Sequence, residues 1–335
     1  MADHFRGPDG RERDRALQAL AQLTSLFVCN RFPPVVSAAL AGARLVPIGK
    51  PDGGVRPIAV GELVRRLAGK MILCRYQGET IPRLLPTQLG VGVPGGAEFL
   101  IHRARDWVRF PMPGEGLLQL DFRNAFNCMD RTSMLAAIAQ FCPQLLPYAI
   151  ACYGCPASLY YTGGVIPSES GVHQGDPVGP LFFSALTHEL TQLCCGPGIL
   201  WSHWYLDDAY ICGSAEVLHG IFALVHGRAD GLGFVLNTGK CMFLHVGNPS
   251  VDLLQGIPRV PASTGCLKVL GSPVGGSEAC RIWAQEKVFV PWQRALDSLA
   301  CLADPQSATL ILRHCLSGCK YPGSSGPHAP LWPRA

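Results

Sequence analysis

Alternating apolar and polar positions divide most of this chain into short strands and amphipathic helices. Leu17, Leu20, Leu23 and Phe27 recur at helical spacing, which predicts a helix over residues 11–28 that Pro33-Pro34 stops. Arg44 to Ile48 reads as a strand. Lys50 to Ile58 (KPDGGVRPI) then reads as strand, turn and strand, with Asp52-Gly53-Gly54 at the turn. Glu62 to Arg75 carries an apolar stripe through Leu63, Leu67 and Ile72, and the loop QLGVGVPGG precedes a helix from about Ala97 to Val108. Leu117 to Asp121 is a short buried strand ending in an acid. Helical pattern follows from about Arg123 and again from Thr132 to Phe141. Ser158 to Tyr161 is strand-like, Ser170 to Pro180 is a loop dense in Gly and Pro, and Leu181 to Leu193 is a helix.

The clearest strand pattern is WSHWYLDDAYICG, residues 201–213, where aromatic and apolar runs flank Asp207 and Asp208. It predicts a β-hairpin whose turn is made of the two acids, because Asp suits tight turns and Trp, Tyr and Ile suit half-buried strands. Beyond it come a helix over Ala215 to Leu232, a strand over Cys241 to Val246 after Gly239-Lys240, and a hairpin at Leu267 to Pro273. Helices over about Glu278 to Leu302 and Gln306 to Leu316 follow. The Pro-, Gly- and Ser-rich stretch from Tyr321 is expected to be disordered. No internal repeat is visible.

At 335 residues the chain can bury a sizeable core in one elaborate domain or two modest ones, and 48% hydrophobic with 16% charged residues is globular. Its net charge of +4 hides an asymmetry: residues 1–110 hold 16 Lys and Arg against 9 Asp and Glu, and the remainder 12 against 15. A basic front and an acidic remainder suit a protein that grips phosphates with one part and metal with another. The fifteen Cys show no disulfide framework, and the single CxxC at Cys152 and Cys155 has no second pair at zinc spacing, so structural or free thiols are expected. His188-Glu189 lacks the second His of a metalloprotease helix, and QLGVGVPGG lacks the Gly-Lys-Ser/Thr ending of a P-loop. The polar, charged start carries no secretory signal, so an intracellular chain with reduced cysteines is expected, nucleus and cytoplasm being indistinguishable. Residues 132–168 hold no acidic or basic side chain, yet Gln140, Pro143, Gln144, Pro147 and Pro156 interrupt them; this is a buried segment, and no membrane association is expected.

Two adjacent carboxylates repel each other, and at the tip of an apolar ribbon they call for a positive partner, commonly a divalent metal. An Asp at the carboxyl end of a core strand, here Asp121, is well placed for a site. The two arms of the early hairpin carry Lys50 and Arg56, a cationic clamp suited to a polyphosphate or a nucleic-acid backbone.

Six motifs in order, KPDGGVRPI, QLDFRNAFN, GVHQGDPVGP, YLDD, GK and VLGSPVG, make the chain resemble a reverse transcriptase, most closely the polymerase domain of non-LTR retrotransposons, over about residues 30–275. The resemblance implies an α+β, right-hand polymerase fold with fingers and palm, an antiparallel palm sheet packed on helices, and a short helical thumb. It divides the chain into an N-terminal helix region (1–30), fingers (31–115), palm with fingers insertion elements (116–275), partial thumb (276–318) and disordered tail (319–335). It implies an RNA-directed DNA polymerase that adds deoxynucleotides to a primer 3′-OH with two Mg²⁺ ions (Mn²⁺ being an alternative), acting on an RNA template, a DNA primer and dNTPs.

By that resemblance Asp121 and Asp207 bridge the metals, Asp208 supports them and the Phe122 main-chain oxygen completes the shell. Phe126 excludes the ribose 2′-OH; Gln174 and Gly175 lie under the incoming nucleotide; Lys50 and Arg56 hold its triphosphate; Lys240 neutralises or protonates the leaving pyrophosphate; and Leu270-Gly271 positions the primer end. Many relatives place a small residue where Leu206 stands. No endonuclease, RNase H or zinc-knuckle segment is seen, so a fragment of a retrotransposon protein is expected, its oligomeric state open. A catalytically silent nucleic-acid-binding remnant and a group II intron-type maturase remain as alternatives.

Overall fold

A computed structural model of the chain describes residues 10–49, 53–247 and 256–316. Lys50 and the stretch from Tyr321 lie outside the described residues. In chain order, helix α1 (Gly10–Val28) covers the expected residues, with Phe27 of its apolar stripe buried and Leu17 and Leu23 exposed, but the Pro33-Pro34 stop is followed at once by a helix, α2 (Pro34–Ala41). Pro34 stands at the first helical position, where the missing N–H costs nothing and the fixed φ favours helix. Strands β1 (Ala43–Gly49) and β2 (Val55–Gly61) form the early hairpin. Helix α3 (Leu63–Leu84) outruns its expected end by nine residues, with Pro82 inside it, and α4 (Gly96–Arg109) follows the glycine-rich loop.

Strand β3 (Glu115–Leu120) stops one residue before Asp121. Next come a single turn, α5 (Ala125–Cys128), then α6 (Arg131–Phe141) and α7 (Leu146–Tyr153). Both α6 and α7 contribute fully buried side chains, but the uncharged segment is not buried throughout as expected, since residues 160–167 are exposed; no helix among the described residues is long and apolar enough to cross a membrane. Strands β4 (Ala157–Tyr161) and β5 (Gly164–Ser168) precede α8 (Gly179–Leu193); β6 (Ile199–Tyr205) and β7 (Asp208–Ser214) are the acid-bearing hairpin; α9 (Ala215–Ala229) follows. After β8 (Met242–His245) and β9 (Arg259–Pro261), β10 (Cys266–Val269) and β11 (Ser272–Gly275) form a second hairpin. The helix expected over 278–302 is divided into α10 (Ser277–Ala284) and α11 (Val290–Ala300) by a wider π turn over Gln285–Phe289, just where Pro291 removes a donor; α12 (Pro305–Ile311) comes last. The result is a mixed α+β chain.

The chain splits into two compact units, each built from three stretches. The first comprises Met1–Gly92, Phe122–Gln192 and Val225–Val235; the second comprises Val93–Asp121, Leu193–Leu224 and Leu236–Ala335. The first holds the four-stranded sheet β2-β1-β4-β5. Its core gathers Phe27 edge-on to Tyr148 at 5.8 Å, with Tyr153 and Phe182 beside them. The second holds the five-stranded sheet β6-β7-β3-β8-β9 and the hairpin β10-β11. Strand β3 runs centrally, antiparallel to both β7 and β8, and its Leu117, Leu118 and Leu120 are buried. A run apolar on both faces is what a strand covered on both sides requires.

Candidate active site

The acids meet through strand register in the second unit. Within the β6-β7 hairpin Tyr205 pairs with Asp208, so the two-residue turn is Leu206-Asp207 and not the two acids expected from sequence. Leu206 sits at φ +56°, the left-handed conformation that a two-residue hairpin turn demands of its first central residue. That conformation costs a leucine roughly 1–2 kcal/mol. The consequence is chemical: Asp207 stands at the tip, while Asp208 is the first residue of β7 and projects from a sheet face. Leu120 of β3 pairs with Ala209, and continuing that antiparallel register one step sets Asp121 level with Asp208. Acids 87 residues apart in the chain thus share one end of two adjacent strands.

Their electrostatics record the meeting. Burial, and then the charges on Asp207 and Asp121, push the Asp208 carboxyl up to about 7, against an opposing pull from Lys268. An edge this rich in mutually repelling carboxylates takes a cation readily. Among the described residues no three His, Cys, Asp or Glu side chains are gathered into a ready-made ligand set. Magnesium does not ask for one: it keeps several waters and takes one or two carboxylates together with substrate phosphates. Hard oxygen donors on an open edge therefore fit that ion.

The backbone around Asp121 is held by a loop that pattern reading left unassigned. Asn237 N–H donates to the Asp121 carbonyl at 2.8 Å, and Asp121 N–H donates to Cys241 Sγ at 3.4 Å. Lys240 N–H donates to the Asn237 carbonyl at 2.8 Å, closing the loop, and the Lys240 side chain is exposed. Gln119 pairs with Met242, so the same register extended sets Lys240 level with Asp121. Leu270 and Gly271 form the turn of the β10-β11 hairpin, at φ +44° and +88°, between the paired Val269 and Ser272. The Leu270 N–H donates to Tyr210 Oη at 3.2 Å. The structure therefore places Asp121, Asp207, Asp208, Lys240, Leu270 and Gly271 in one unit and adds Tyr210, Asn237, Cys241 and Lys268 to them.

Phe122, Arg56, Phe126, Gln174 and Gly175 belong to the first unit. The Gln174 carbonyl accepts from Ala59 N–H of β2 at 2.9 Å. Gly175 has φ +128°, and a Cβ there would stand 2.7 Å from the Ala59 carbonyl oxygen, so glycine alone permits this approach. Arg56 is exposed on the same β2 strand. Phe126 is half-buried and stacked on Phe183, centroids 4.5 Å apart and planes 13° from parallel; the buried Phe122 ring leans on Phe234 at 5.6 Å.

A buried polar assembly fixes the loop that carries Gln174 and Gly175. Arg65, 1% exposed, donates to Asp176 at 2.8 Å, to the Ala41 carbonyl and to His173 Nδ1 at 3.0 Å. Tyr153 Oη donates to Asp176 at 2.6 Å. With Nδ1 accepting from Arg65, His173 carries its proton on Nε2, which lies 3.0 Å from Ser168 Oγ. Arg131 ties Ser168 and the Gly171 carbonyl together at 2.6–2.9 Å. Burial works to raise the Asp176 pKa, but Arg65 and the hydrogen bonds from Tyr153 and Val178 outweigh it and hold the carboxylate low. Burial and the nearby guanidinium of Arg65 push His173 down to about 3.

Comparison with known proteins agrees with this architecture. No family model matches the chain. Over 223 residues it is 29% identical to the retrotransposable element SLACS 132 kDa protein of Trypanosoma brucei gambiense, a span covering 63% of this chain and 18% of that protein. Among solved structures, telomerase from Candida albicans in complex with a TWJ fragment of telomeric RNA superposes with a TM-score of 0.50 at 13% identity, over 74% of this chain and 47% of that one. Apo telomerase from Candida tropicalis, truncated from its C-terminal domain, gives 0.49 at 12% identity over 70% and 53%. The resemblance to a retrotransposon protein is thus borne out, and the fold is shared with a telomerase.

Proposed function

We propose that this chain is the polymerase part of a retrotransposon-type reverse transcriptase, adding deoxynucleotides to the 3′-OH of a DNA primer annealed to an RNA template. The observation that carries the reading is the register that brings Asp121 level with Asp208 beside the Asp207 tip, with the Asp208 carboxyl pushed up to about 7 by burial and its acidic neighbours. In this reading Asp121 and Asp207, with Asp208 and the Phe122 carbonyl in support, would hold two Mg²⁺ ions, Mn²⁺ being able to substitute. When bound, such a pair of ions lowers the pKa of the primer hydroxyl and neutralises the leaving pyrophosphate.

The chain's own residues do the rest. Gln174 and Gly175 offer main chain to the nucleotide, Arg56 with Lys50 holds its phosphates, Lys240 supplies positive charge to the departing pyrophosphate, and the Phe126 ring occupies the room a 2′-OH would need. Residues 31–115 serve as fingers, 116–275 as palm and 276–318 as a short thumb. The chain spans about a fifth of its retrotransposon relative, and we propose that it works as a segment of a longer protein of that kind. Primer extension on an RNA template with dNTPs and Mg²⁺ tests the reading. Template-dependent DNA synthesis is expected; binding of the primed template without any synthesis would instead favour a silent nucleic-acid-binding remnant.

A further inference from the structure

The Leu270-Gly271 turn and the acid edge belong to different strand pairs, yet one hydrogen bond joins them. Tyr210 stands on β7 two residues beyond Asp208, so the two side chains leave the same face of that strand. Its hydroxyl oxygen receives the Leu270 N–H at 3.2 Å. We propose that Tyr210 is a positioning residue: it pins the Leu270-Gly271 turn to the acid-bearing strand, so that a primer 3′ end resting on the turn meets the carboxylates at a fixed separation. This inference rests on the polymerase reading of the acid edge.

Three features of the second unit support it. Tyr210 is 1% exposed, so its ring has no freedom to swing and its hydroxyl is a rigid post. A buried phenol is expected to find a hydrogen-bond partner, and here it takes the main chain of a turn. Leu270 holds φ +44°, a conformation that is strained for a leucine and persists only where its surroundings over-determine it. The paired Val269 and Ser272 constrain it from the hairpin side, and Tyr210 from the other. Tyr210 also pairs with Gln119 of β3, two residues before Asp121, so it shares the frame of both acid-bearing strands.

The test compares wild type with Tyr210→Phe in the full chain, using a DNA primer annealed to an RNA template. Losing one neutral hydrogen bond should weaken the dependence on primed-template concentration about three- to tenfold, which is about 0.7–1.4 kcal/mol. The KM for dNTP and the Mg²⁺ dependence should remain near wild type, and the thermal midpoint should fall by no more than a few degrees, the cost of one hydrogen bond. Gly271→Ala, at φ +88°, disturbs the turn without touching Tyr210 and should give the same split. A Tyr210→Phe protein with unchanged primed-template dependence overturns the inference. So does a uniform loss in every parameter with a lowered midpoint, which marks a merely structural tyrosine. A wild-type chain that extends no primed template refutes the polymerase reading itself and takes this inference with it.

Discussion

Replacing Asp176 with Asn isolates the charge that secures the loop before α8. The Asp176 carboxylate accepts from Arg65 at 2.8 Å, from Tyr153 at 2.6 Å and from Val178 N–H at 3.0 Å. Neither side chain of the ion pair is more than 1% exposed, so water does not solvate the guanidinium left behind. Breaking a buried pair from one side costs about 3–5 kcal/mol, most of it the desolvation of the surviving charge. Arg65 keeps its bonds to the Ala41 carbonyl and His173, and asparagine still accepts one hydrogen bond, which places the expectation near the low end, about 3 kcal/mol. Amide hydrogen exchange across 53–80 and 170–190, followed by mass spectrometry, reads this loss directly, and protection there should fall about a hundredfold. A fall of less than about fivefold would refute the reasoning, since it would mean the guanidinium is not desolvated. Arg65→Met combined with Asp176→Leu should recover part of the protection, because removing both charges removes the cost of the buried unpaired charge while Tyr153, Val178 N–H, His173 and the Ala41 carbonyl still lose a partner.

Three further outcomes follow from the same geometry. His173 is held at about 3 in the folded chain but near 6.5 when unfolded, so the unfolded state binds the extra proton first; stability is full above about pH 6.5 and should fall by up to about 1.4 kcal/mol per unit between about pH 6 and 3, as urea midpoints across that range would show, a flat profile contradicting it. Gly175→Ala must displace the Ala59 carbonyl and hold alanine at φ +128°, a strain of order 1–3 kcal/mol; a raised KM for dNTP with primed-template affinity retained is expected, and unchanged kinetics would count against the loop's role. Phe126→Ala removes the ring stacked on Phe183 and should increase ribonucleotide incorporation relative to deoxyribonucleotide, measured by competition on one template; an unaltered ratio removes the ring from discrimination.

How much of this was legible in the sequence depended on whether the signal was local. The acid hairpin was legible because aromatic runs flank Asp207 and Asp208; its register was not, since two acids look like turn residues while nothing marks Leu206 for φ +56°. Helix α2 was hidden by Pro33-Pro34, read as a terminator when Pro34 in fact opens the helix. The π turn before α11 was equally silent, because its residues continue the helical periodicity. Asp121 stood out as an acid at the end of an apolar strand, but the groups that hold its backbone, Asn237 N–H and Cys241 Sγ, lie more than a hundred residues on and become partners only through β3-β8 pairing. Tyr210 and Lys268 carry no local signal for a similar reason: an apolar-looking residue of β7 acquires meaning from its bond to the β10-β11 turn, and a lone surface lysine from its place on that hairpin. Arg65 is one of several cations between Glu62 and Arg75, and only its burial against Asp176 and His173 distinguishes it.

The central claim, that carboxylates from two strands act as one unit, is tested most directly by comparing Asp121→Asn, Asp207→Asn and the double variant in primer extension on an RNA template. Each single change should lower the rate at least tenfold, or about 1.4 kcal/mol of barrier, while primed-template binding persists. Groups that act together are non-additive, so the double variant should be no slower than the worse single one. A single variant that extends at the wild-type rate, or a double variant whose loss is the product of the two, would contradict the account.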